Sequence, residues 1–285
     1  MKLRLTSLAI LAAFAGGAQA ASSLISNGPG NVAATIHDNG SFDIAGAVGL
    51  SYGGVEFVNI DTRSAWWTIE TGSPGVAVTP VAQYNAGGFP GSLTVGVGPA
   101  AATTMVIGGG SFVQTAALTA PNKLDVSVIL TNNTGRAIKD VYYGVGFDPD
   151  QSGSGLNRTD NTVNGQGAFA SVSAGGWNGG KYYTVTLGNT TSAGADMIEA
   201  FVNHPDCCSS VSPSAVINDG VVQAGSQGFF DDSISLAYHY GSIGAGQSVT
   251  IGYSYTFAVP EPETYAMFLA GLGLMGAVVR RRTRA

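Results

Sequence analysis

The sequence is short of charged residues. Only 12 basic and 18 acidic side chains occur among 285 residues, whereas an ordinary soluble domain is roughly a quarter charged. Coiled coils and basic nucleic-acid-binding proteins need dense charge, so this scarcity argues against both classes. Intrinsic disorder is also disfavoured, because 45% of the residues are hydrophobic and many of them are aromatic.

Glycine, unlike the charged residues, is abundant in this sequence. The chain contains 42 glycines, about one residue in seven, which is twice the usual share of ~7%. Together with the apolar content, this composition indicates a β-rich chain with many turns and enough hydrophobic material to form a core.

The first twenty residues have the three parts of an export signal. Lys2 and Arg4 form a positive start, residues 5–15 are apolar, and Ala18-Gln19-Ala20 is a small-residue cleavage site. We therefore predict that residues 1–20 are a signal peptide handled by the general secretion machinery and that the mature chain begins at Ala21.

The C-terminal end carries a short apolar segment between prolines and arginines. The tripeptide Pro260-Glu261-Pro262 precedes an uncharged run over residues 264–279. A basic cluster follows, consisting of Arg280, Arg281, Arg282 and Arg284. Sixteen helical residues span about 24 Å, and snorkelling arginines can cover the shortfall against the bilayer. We predict a transmembrane helix whose arginine end stays in the cytoplasm.

This order of parts resembles the PEP-CTERM sorting tail of exported proteins in Gram-negative bacteria. The resemblance covers about residues 259–285. It implies that a membrane-embedded transpeptidase-like enzyme, exosortase, recognises Pro260, Glu261 and Pro262 and removes the helix. It also implies an intermediate anchored in the inner membrane, delivery to the cell surface or extracellular matrix, and an association with exopolysaccharide and biofilm production. A permanent single-pass anchor with a proline-rich stalk is the alternative.

Without its two ends, the chain is clearly acidic. Removing Glu261 and Glu263 leaves 16 of 18 acidic residues, and removing Lys2, Arg4 and the four tail arginines leaves 6 of 12 basic ones, a net charge of −10 for residues 21–257. Such a domain should repel nucleic acid and anionic lipid headgroups.

Alternating apolar and polar residues recur along this middle region and predict strands. The inward-facing positions include Leu124, Val126, Val128 and Leu130, then Ile234, Leu236, Tyr238 and Tyr240, then Val249, Ile251, Tyr253, Tyr255 and Phe257. The last two runs predict an antiparallel hairpin. Residues 32–37 and 41–45 predict another hairpin around Asp38-Asn39-Gly40.

The fold class that follows is all-β, an antiparallel β-sandwich over residues 21–257. It lies between a signal peptide over residues 1–20 and the sorting tail over residues 258–285. Two smaller sandwiches divided near Ala120 and Pro121 are the alternative. The polar stretch over residues 148–167 is predicted to be a surface loop at one end of the sandwich, a usual place for binding function.

A partial calcium site is predicted in that stretch. Its acidic and hydroxyl side chains alternate like the first ligands of an EF-hand loop, and Gly153 falls at the turn, but Thr159 stands where a bidentate glutamate is needed. The candidate ligands are Asp148, Asp150, Ser152 and Asp160. A solvated Asp-Pro turn that binds no metal is the alternative.

Cys207 and Cys208 are the only cysteines. In an oxidising compartment they are predicted to form a vicinal disulfide that locks the turn around them. Two free thiols are a second interpretation, and metal binding with His204 is a third, although no second ligand pair has zinc-like spacing.

Three further groups of residues give weaker evidence for an enzyme or for a ligand-binding site. Ser51 occupies the centre of a G-x-S-x-G pattern, but the next residues predict a strand instead of the helix that a nucleophile elbow requires. The acidic residues Glu56, Glu70 and Asp231-Asp232 are candidates for glycosidase carboxylates, but sequence spacing does not establish the pairing that such catalysis needs, so they are expected to be solvated turn residues. Tryptophans 66, 67 and 177 are candidates for stacking on sugars or for core packing.

Our leading hypothesis is therefore a non-enzymatic, exported surface or matrix protein that exosortase sorts. A calcium-assisted carbohydrate-binding module or adhesin is the second hypothesis, and a secreted serine hydrolase is the third.

Overall fold

The computed structural model describes most of the chain between residues 23 and 259. The described residues are 23–36, 40–42, 48–58, 65–72, 79–81, 91–94, 100–107, 110–152, 158–205, 207 and 211–259, together with 271 and 275. The predicted signal peptide lies outside them. Of the predicted C-terminal helix, they include Gly271 and Met275 alone.

Between residues 23 and 259, the described regular elements are β-strands and one short helix. The first nine strands are β1 (Ser23–Ser26), β2 (Ala33–Ile36), β3 (Leu50–Tyr52), β4 (Val55–Glu56), β5 (Ala65–Thr71), β6 (Thr79–Val81), β7 (Gly91–Thr94), β8 (Ala100–Ile107) and β9 (Gly110–Ala120). The remaining elements are β10 (Lys123–Asn132), β11 (Ile138–Phe147), β12 (Thr159–Asn164), β13 (Ser171–Asn178), β14 (Lys181–Thr191), β15 (Met197–Asn203), α1 (Pro213–Asn218), β16 (Ala224–Phe230), β17 (Ser233–Ile243) and β18 (Ser248–Ala258).

The strands in the described part of the chain form three antiparallel sheets. A small sheet has the order β1-β2-β3-β4, a nine-stranded sheet has the order β16-β12-β13-β14-β18-β10-β9-β8-β7, and a five-stranded sheet has the order β15-β17-β11-β5-β6. The predicted all-β, antiparallel character is confirmed. Strands β9 and β10, on either side of Ala120 and Pro121, pair with each other in the nine-stranded sheet.

Aromatic side chains join the nine- and five-stranded sheets across one core. Trp67 of β5 stacks on Phe112 of β9 with ring centroids 4.4 Å apart, and Phe147 of β11 meets Tyr255 of β18 edge to face at 5.5 Å. The predicted alternation in β10, β17 and β18 is confirmed, because its apolar positions are buried in this core or packed against it. Packing at these positions explains why the strands alternate apolar and polar residues.

The predicted hairpin between the last two strands is wrong. Strand β17 pairs with β11 and β15 in the five-stranded sheet, whereas β18 pairs with β10 and β14 in the nine-stranded sheet. The short turn between them therefore carries the chain from one sheet to the other. Alternation gives each strand one buried face in either arrangement, so the pattern alone does not determine which strands pair.

The N-terminal hairpin prediction falls partly outside the described residues. Within them, an isolated antiparallel bridge joins Ile36 to Phe42, as expected for the two sides of a tight turn. Gly40, in the predicted turn, has a φ of 82°, a left-handed conformation that favours glycine.

Asn132 ties together two of the connections that cross between the nine- and five-stranded sheets, the one from β10 to β11 and the one from β17 to β18. It ends β10, where the chain leaves the nine-stranded sheet for β11, and its side chain is buried with 1% exposure. Its Nδ2 donates to the carbonyls of Arg136, at 2.7 Å, and Ile243, at 2.8 Å. Its Oδ1 accepts from the backbone N–H and the hydroxyl of Thr134. The backbone N–H and carbonyl of Asn132 bond to Gln247 and Gly246 in the second connection.

Replacing Asn132 with alanine should therefore destabilise the whole fold. The substitution removes the side-chain donor to the buried Ile243 carbonyl and the acceptor for two bonds from Thr134, which should lower the free energy of unfolding by about 3 kcal/mol. For a domain of this size that is a fall in Tm of roughly 6–12 °C. Thermal unfolding followed by circular dichroism measures it.

Asn133→Ala is the matched control, because the neighbouring asparagine is exposed. It should change the free energy of unfolding by less than about 0.5 kcal/mol. Equal melting temperatures for the two variants would contradict the role assigned to Asn132.

Candidate functional site

Three segments meet at one end of the five-stranded sheet. Phe147, the last residue of β11, pairs with Ile234 of β17, and Asn203, the last residue of β15, pairs with Ser233. The residues after β11, after β15 and before β17 therefore lie side by side. We call this group the acidic corner, and it comprises Asp148, Asp150, His204, Cys207, Asp231 and Asp232.

Two carboxylates and a sulfur approach one another in the acidic corner. One oxygen each of Asp148 and Asp231 and the Sγ of Cys207 lie within 4.8 Å of one another. Asp148 is buried and Asp231 is exposed. Cys207 is disulfide-bonded, so its sulfur is not a thiolate ligand. The structure thus brings together three segments, since Asp148 precedes Cys207 by 59 residues and Asp231 by 83 residues in the sequence.

His204 and Asp232 form a second pair in the same corner. The His204 Nδ1 lies 3.0 Å from both carboxylate oxygens of Asp232. Asp232 is buried, and burial raises the pKa of its carboxyl group, while the hydrogen bond and charge of His204 partly offset that effect. The ring of His204 also packs against Phe230 at 4.6 Å, which fixes the orientation of the imidazole.

The segment after β11 is buried, contrary to the predicted surface loop. The Asp150 N–H donates to the Phe57 carbonyl at 2.8 Å, and Gln151 Nε2 donates to the Ala174 carbonyl at 3.0 Å. Thr159 to Asn164 then form β12, the second strand of the nine-stranded sheet. The prediction failed because the inward positions of β12 include Thr159 and Asn161, which bond to each other at 2.9 Å instead of presenting apolar groups.

Asp160 lies apart from the other predicted calcium ligands. It pairs with Gly175 of β13, and its carboxylate accepts a hydrogen bond from the Tyr182 hydroxyl at 3.1 Å on the outer face. Ser152 lies on the opposite face of β13 from Asp160. Its Cβ would be 3.2 Å from a Cβ built on Gly176, the residue after Gly175. Successive strand residues point to opposite faces, so Asp160 points away from Ser152.

The other predicted site residues are scattered or undescribed. Cys208, the Pro260-Glu261-Pro262 motif and the basic cluster of Arg280, Arg281, Arg282 and Arg284 lie outside the described residues. Predictions about them stay predictions.

Ser51 does not occupy a nucleophile elbow. It lies in β3, and after Gly53-Gly54 the chain continues directly into β4, so a strand stands where the elbow has a helix. Glu56 of β4 accepts hydrogen bonds from the N–H groups of Gly49, Leu50 and Val58. Its carboxylate thus holds together the loop around Ser51.

The three tryptophans divide between the core and the surface. Trp66 and Trp67 are each 2% exposed, whereas Trp177 is 64% exposed. Of the residues that the sequence offered for stacking on a sugar, Trp177 is therefore the accessible one.

Glu199 is the perturbed carboxylate that sequence reasoning missed. It lies in β15 with 2% exposure, on the strand face shared with Met197 and Phe201, which pack with α1 in a small apolar cluster. Burial, with a further contribution from the charge of Asp219, raises the pKa of Glu199 to about 7. The alternation Met197-Glu199-Phe201 was the available signal, since it places an acid in an apolar row.

The comparisons with known proteins concern the C-terminal end. The described fold is an antiparallel β protein whose last strand ends at Ala258, and residues 258–282 match the family model of the PEP-CTERM protein-sorting motif. The resemblance stated from the sequence is thereby confirmed. No curated protein matches the chain. Among the described residues, no helix is long and apolar enough to cross a membrane.

Replacing Glu199 with glutamine should remove a pH dependence of stability. In the folded chain the Glu199 pKa is about 7, against an ordinary value of 4.5. Between these values the folded state keeps a proton that the unfolded state has lost, so stability falls as pH rises and the loss is complete above pH 7. Glu199→Gln should therefore gain stability over the native protein at pH 8 and not at pH 4. Melting curves from pH 4 to 8 measure this.

Asp219→Asn provides the comparison, because it removes the neighbouring charge and leaves Glu199 in place. It should reduce the slope between pH 5 and 7 without abolishing it. The assignment fails if the native protein and Glu199→Gln lose stability equally over that range.

Proposed function

We propose that the chain is an exported surface or biofilm-matrix protein with a non-enzymatic structural or interaction role. A signal peptide directs the export of its β-sandwich domain, and an exosortase processes the PEP-CTERM tail at the inner membrane. The match of residues 258–282 to the sorting motif is the observation that carries this proposal.

The position of the motif relative to the fold supports processing without damage to the domain. Strand β18 ends at Ala258, which pairs with Thr184, and Val259 packs against the core. Pro260 and Pro262 lack the N–H groups that a longer strand would need. The motif therefore follows the last paired residue, and a cut beyond it removes none of the described strands.

Two features of the domain support export and a non-enzymatic role. Cys207 is disulfide-bonded, which suits an oxidising compartment. The loop around Ser51 lacks the strand–turn–helix arrangement of a hydrolase elbow, and Glu56 is committed to backbone hydrogen bonds.

Mass spectrometry of the mature protein tests the sorting proposal. When the full chain is produced in an exosortase-containing Gram-negative host, the extracellular product should begin at Ala21 and lack residues 269–282. A host without exosortase should retain these residues in its membrane fraction.

Glu261→Ala should block processing, since it changes the motif itself. Glu263→Ala is the matched control one residue beyond the motif, and it should be processed normally. A full-length C-terminus in the exosortase-containing host would contradict sorting and support a permanent single-pass anchor.

A calcium-assisted adhesin is a second candidate, favoured by the approach of two carboxylates in the acidic corner. Asp148 and Asp231 each place an oxygen within 4.8 Å of the other, a spacing at which one calcium ion could contact both carboxylates. In this proposed calcium site Asp148 is kept and Asp231 takes the place of Ser152 and Asp160.

Calcium at 10 mM should raise the Tm of the native protein. A site with a dissociation constant of about 1 mM would add roughly 1.4 kcal/mol to the free energy of unfolding. Asp231→Asn should abolish this gain, whereas Asp160→Asn, on the outer face, should keep it. An unchanged Tm for the native protein would eliminate the calcium candidate and leave the sorting proposal intact.

A further inference from the structure

We propose that the outer face of the nine-stranded sheet around Trp177 binds a neutral oligosaccharide. We call this surface the Trp177 face, and it consists of Asp160, Trp177, Tyr182 and Phe229. The inference goes beyond sorting, because it assigns the exported domain a ligand class and a binding site separate from the Asp148–Asp231 pair of the calcium candidate.

Trp177 is presented to solvent by a tight hairpin. It pairs with Tyr182 across the end of β13 and β14, and the turn between these strands contains Gly179 and Gly180 with φ values of 56° and 79°. Both values are in the left-handed region that two-residue hairpin turns of this kind require. The indole therefore stands on a rigid two-stranded support, so little conformational entropy would be lost on binding.

Tyr182 provides the second aromatic ring of the site and lies over the backbone of Gly175, which has no side chain. A Cβ at Gly175 would come within 2.2 Å of the Tyr182 hydroxyl, so only glycine permits the ring to occupy this place. The centroids of Trp177 and Tyr182 are 5.3 Å apart, with an angle of 64° between the ring planes. The two rings thus form an angular aromatic corner instead of a closed stack.

Asp160 adds a polar group beside the two rings. One oxygen accepts the Tyr182 hydroxyl at 3.1 Å, and the exposed carboxylate retains acceptor capacity for a ligand. Phe229 pairs opposite Asp160 on β16 and is 50% exposed. Burial and the Asp160 charge raise the pKa of Tyr182 to about 12, so the hydroxyl remains a donor and holds the carboxylate in place.

A row of hydroxyl groups continues the face along the sheet. Thr162, Ser173, Thr186 and Thr256 are paired in register across β12, β13, β14 and β18. Ser173 and Thr186 hydrogen-bond to each other at 2.7 Å. This row lies four residues along β13 from Trp177, or ~13 Å, a length that exceeds a single sugar ring.

This combination fits a sugar better than other ligands. The apolar C–H face of a pyranose can pack on an aromatic ring, while its hydroxyls bond to carboxylate and hydroxyl groups. The net charge of −10 over residues 21–257 disfavours acidic polysaccharides. A protein-binding surface would need an apolar centre, whereas the Trp177 face is extended by a row of hydroxyl side chains.

Tryptophan fluorescence provides a direct test, because Trp66 and Trp67 are buried and Trp177 is exposed. Iodide should quench mainly the Trp177 emission of the full-length chain, purified in a detergent without a sugar headgroup. The probes are cellohexaose, laminarihexaose and chitohexaose. At least one should shift the emission to the blue and protect Trp177 from iodide, with EDTA having no effect.

Three substitutions test whether the ligand binds at the Trp177 face or at another exposed aromatic side chain. Trp177→Ala should weaken binding of the active probe, measured by calorimetry, at least about tenfold, and Tyr182→Phe should weaken it about fivefold. Phe169→Ala is the matched control, because Phe169 is 83% exposed in the turn at the other end of β12 and β13. It should bind like the native protein, and melting curves should confirm that every variant is folded.

Each alternative outcome overturns the proposal. Binding that survives Trp177→Ala places the ligand elsewhere, and binding that EDTA abolishes returns it to the calcium candidate. The absence of binding by all three probes removes neutral glycans of these classes as ligands, without affecting the mass-spectrometric test of sorting.

Discussion

Two of the connections between the nine- and five-stranded sheets depend on the hydrogen bonds of one buried amide. Asn132 satisfies its own donors and acceptors within the two connections that carry β10 into β11 and β17 into β18. Because these connections are bonded to each other, they hold β10, β11, β17 and β18 together at one end of the two sheets. The aromatic contacts of Trp67 with Phe112 and of Phe147 with Tyr255 join the same two sheets through their core. At the opposite end of β11 and β17, the residues after β11, after β15 and before β17 meet in the acidic corner.

Strand positions could be predicted from the sequence, while strand partners could not. Alternation identified the buried faces of β10, β17 and β18, since each has a regular apolar row. The same alternation suits a hairpin and a crossing between sheets, so it wrongly paired β17 with β18. The observed pairing goes with contacts between distant residues, such as the bond from Asn132 to the Ile243 carbonyl, 111 positions away in sequence. No local pattern contains such a contact.

The candidate sites could likewise be predicted only in part from the sequence. Sequence reasoning found Asp148, Cys207 and Trp177 from residue type alone, but it could not bring Asp148 to Asp231 or separate Asp160 from Ser152. Strand β12 was taken for a loop because Thr159 and Asn161 turn polar groups inward and bond to each other there. Glu199 escaped notice because its setting requires α1 to fold back over β15. The sorting motif, in contrast, is a linear signal and was recognised directly.

The position of β18 has a mechanical consequence for whatever holds the C-terminal tail. This strand is bonded to β10 along one edge and to β14 along the other, and the tail leaves from its end. Antiparallel ladder bonds lie perpendicular to the strand, so a pull along the strand loads both ladders in shear instead of opening them one bond at a time. A tether at this point would therefore resist drag on the domain better than one attached to an edge strand such as β16.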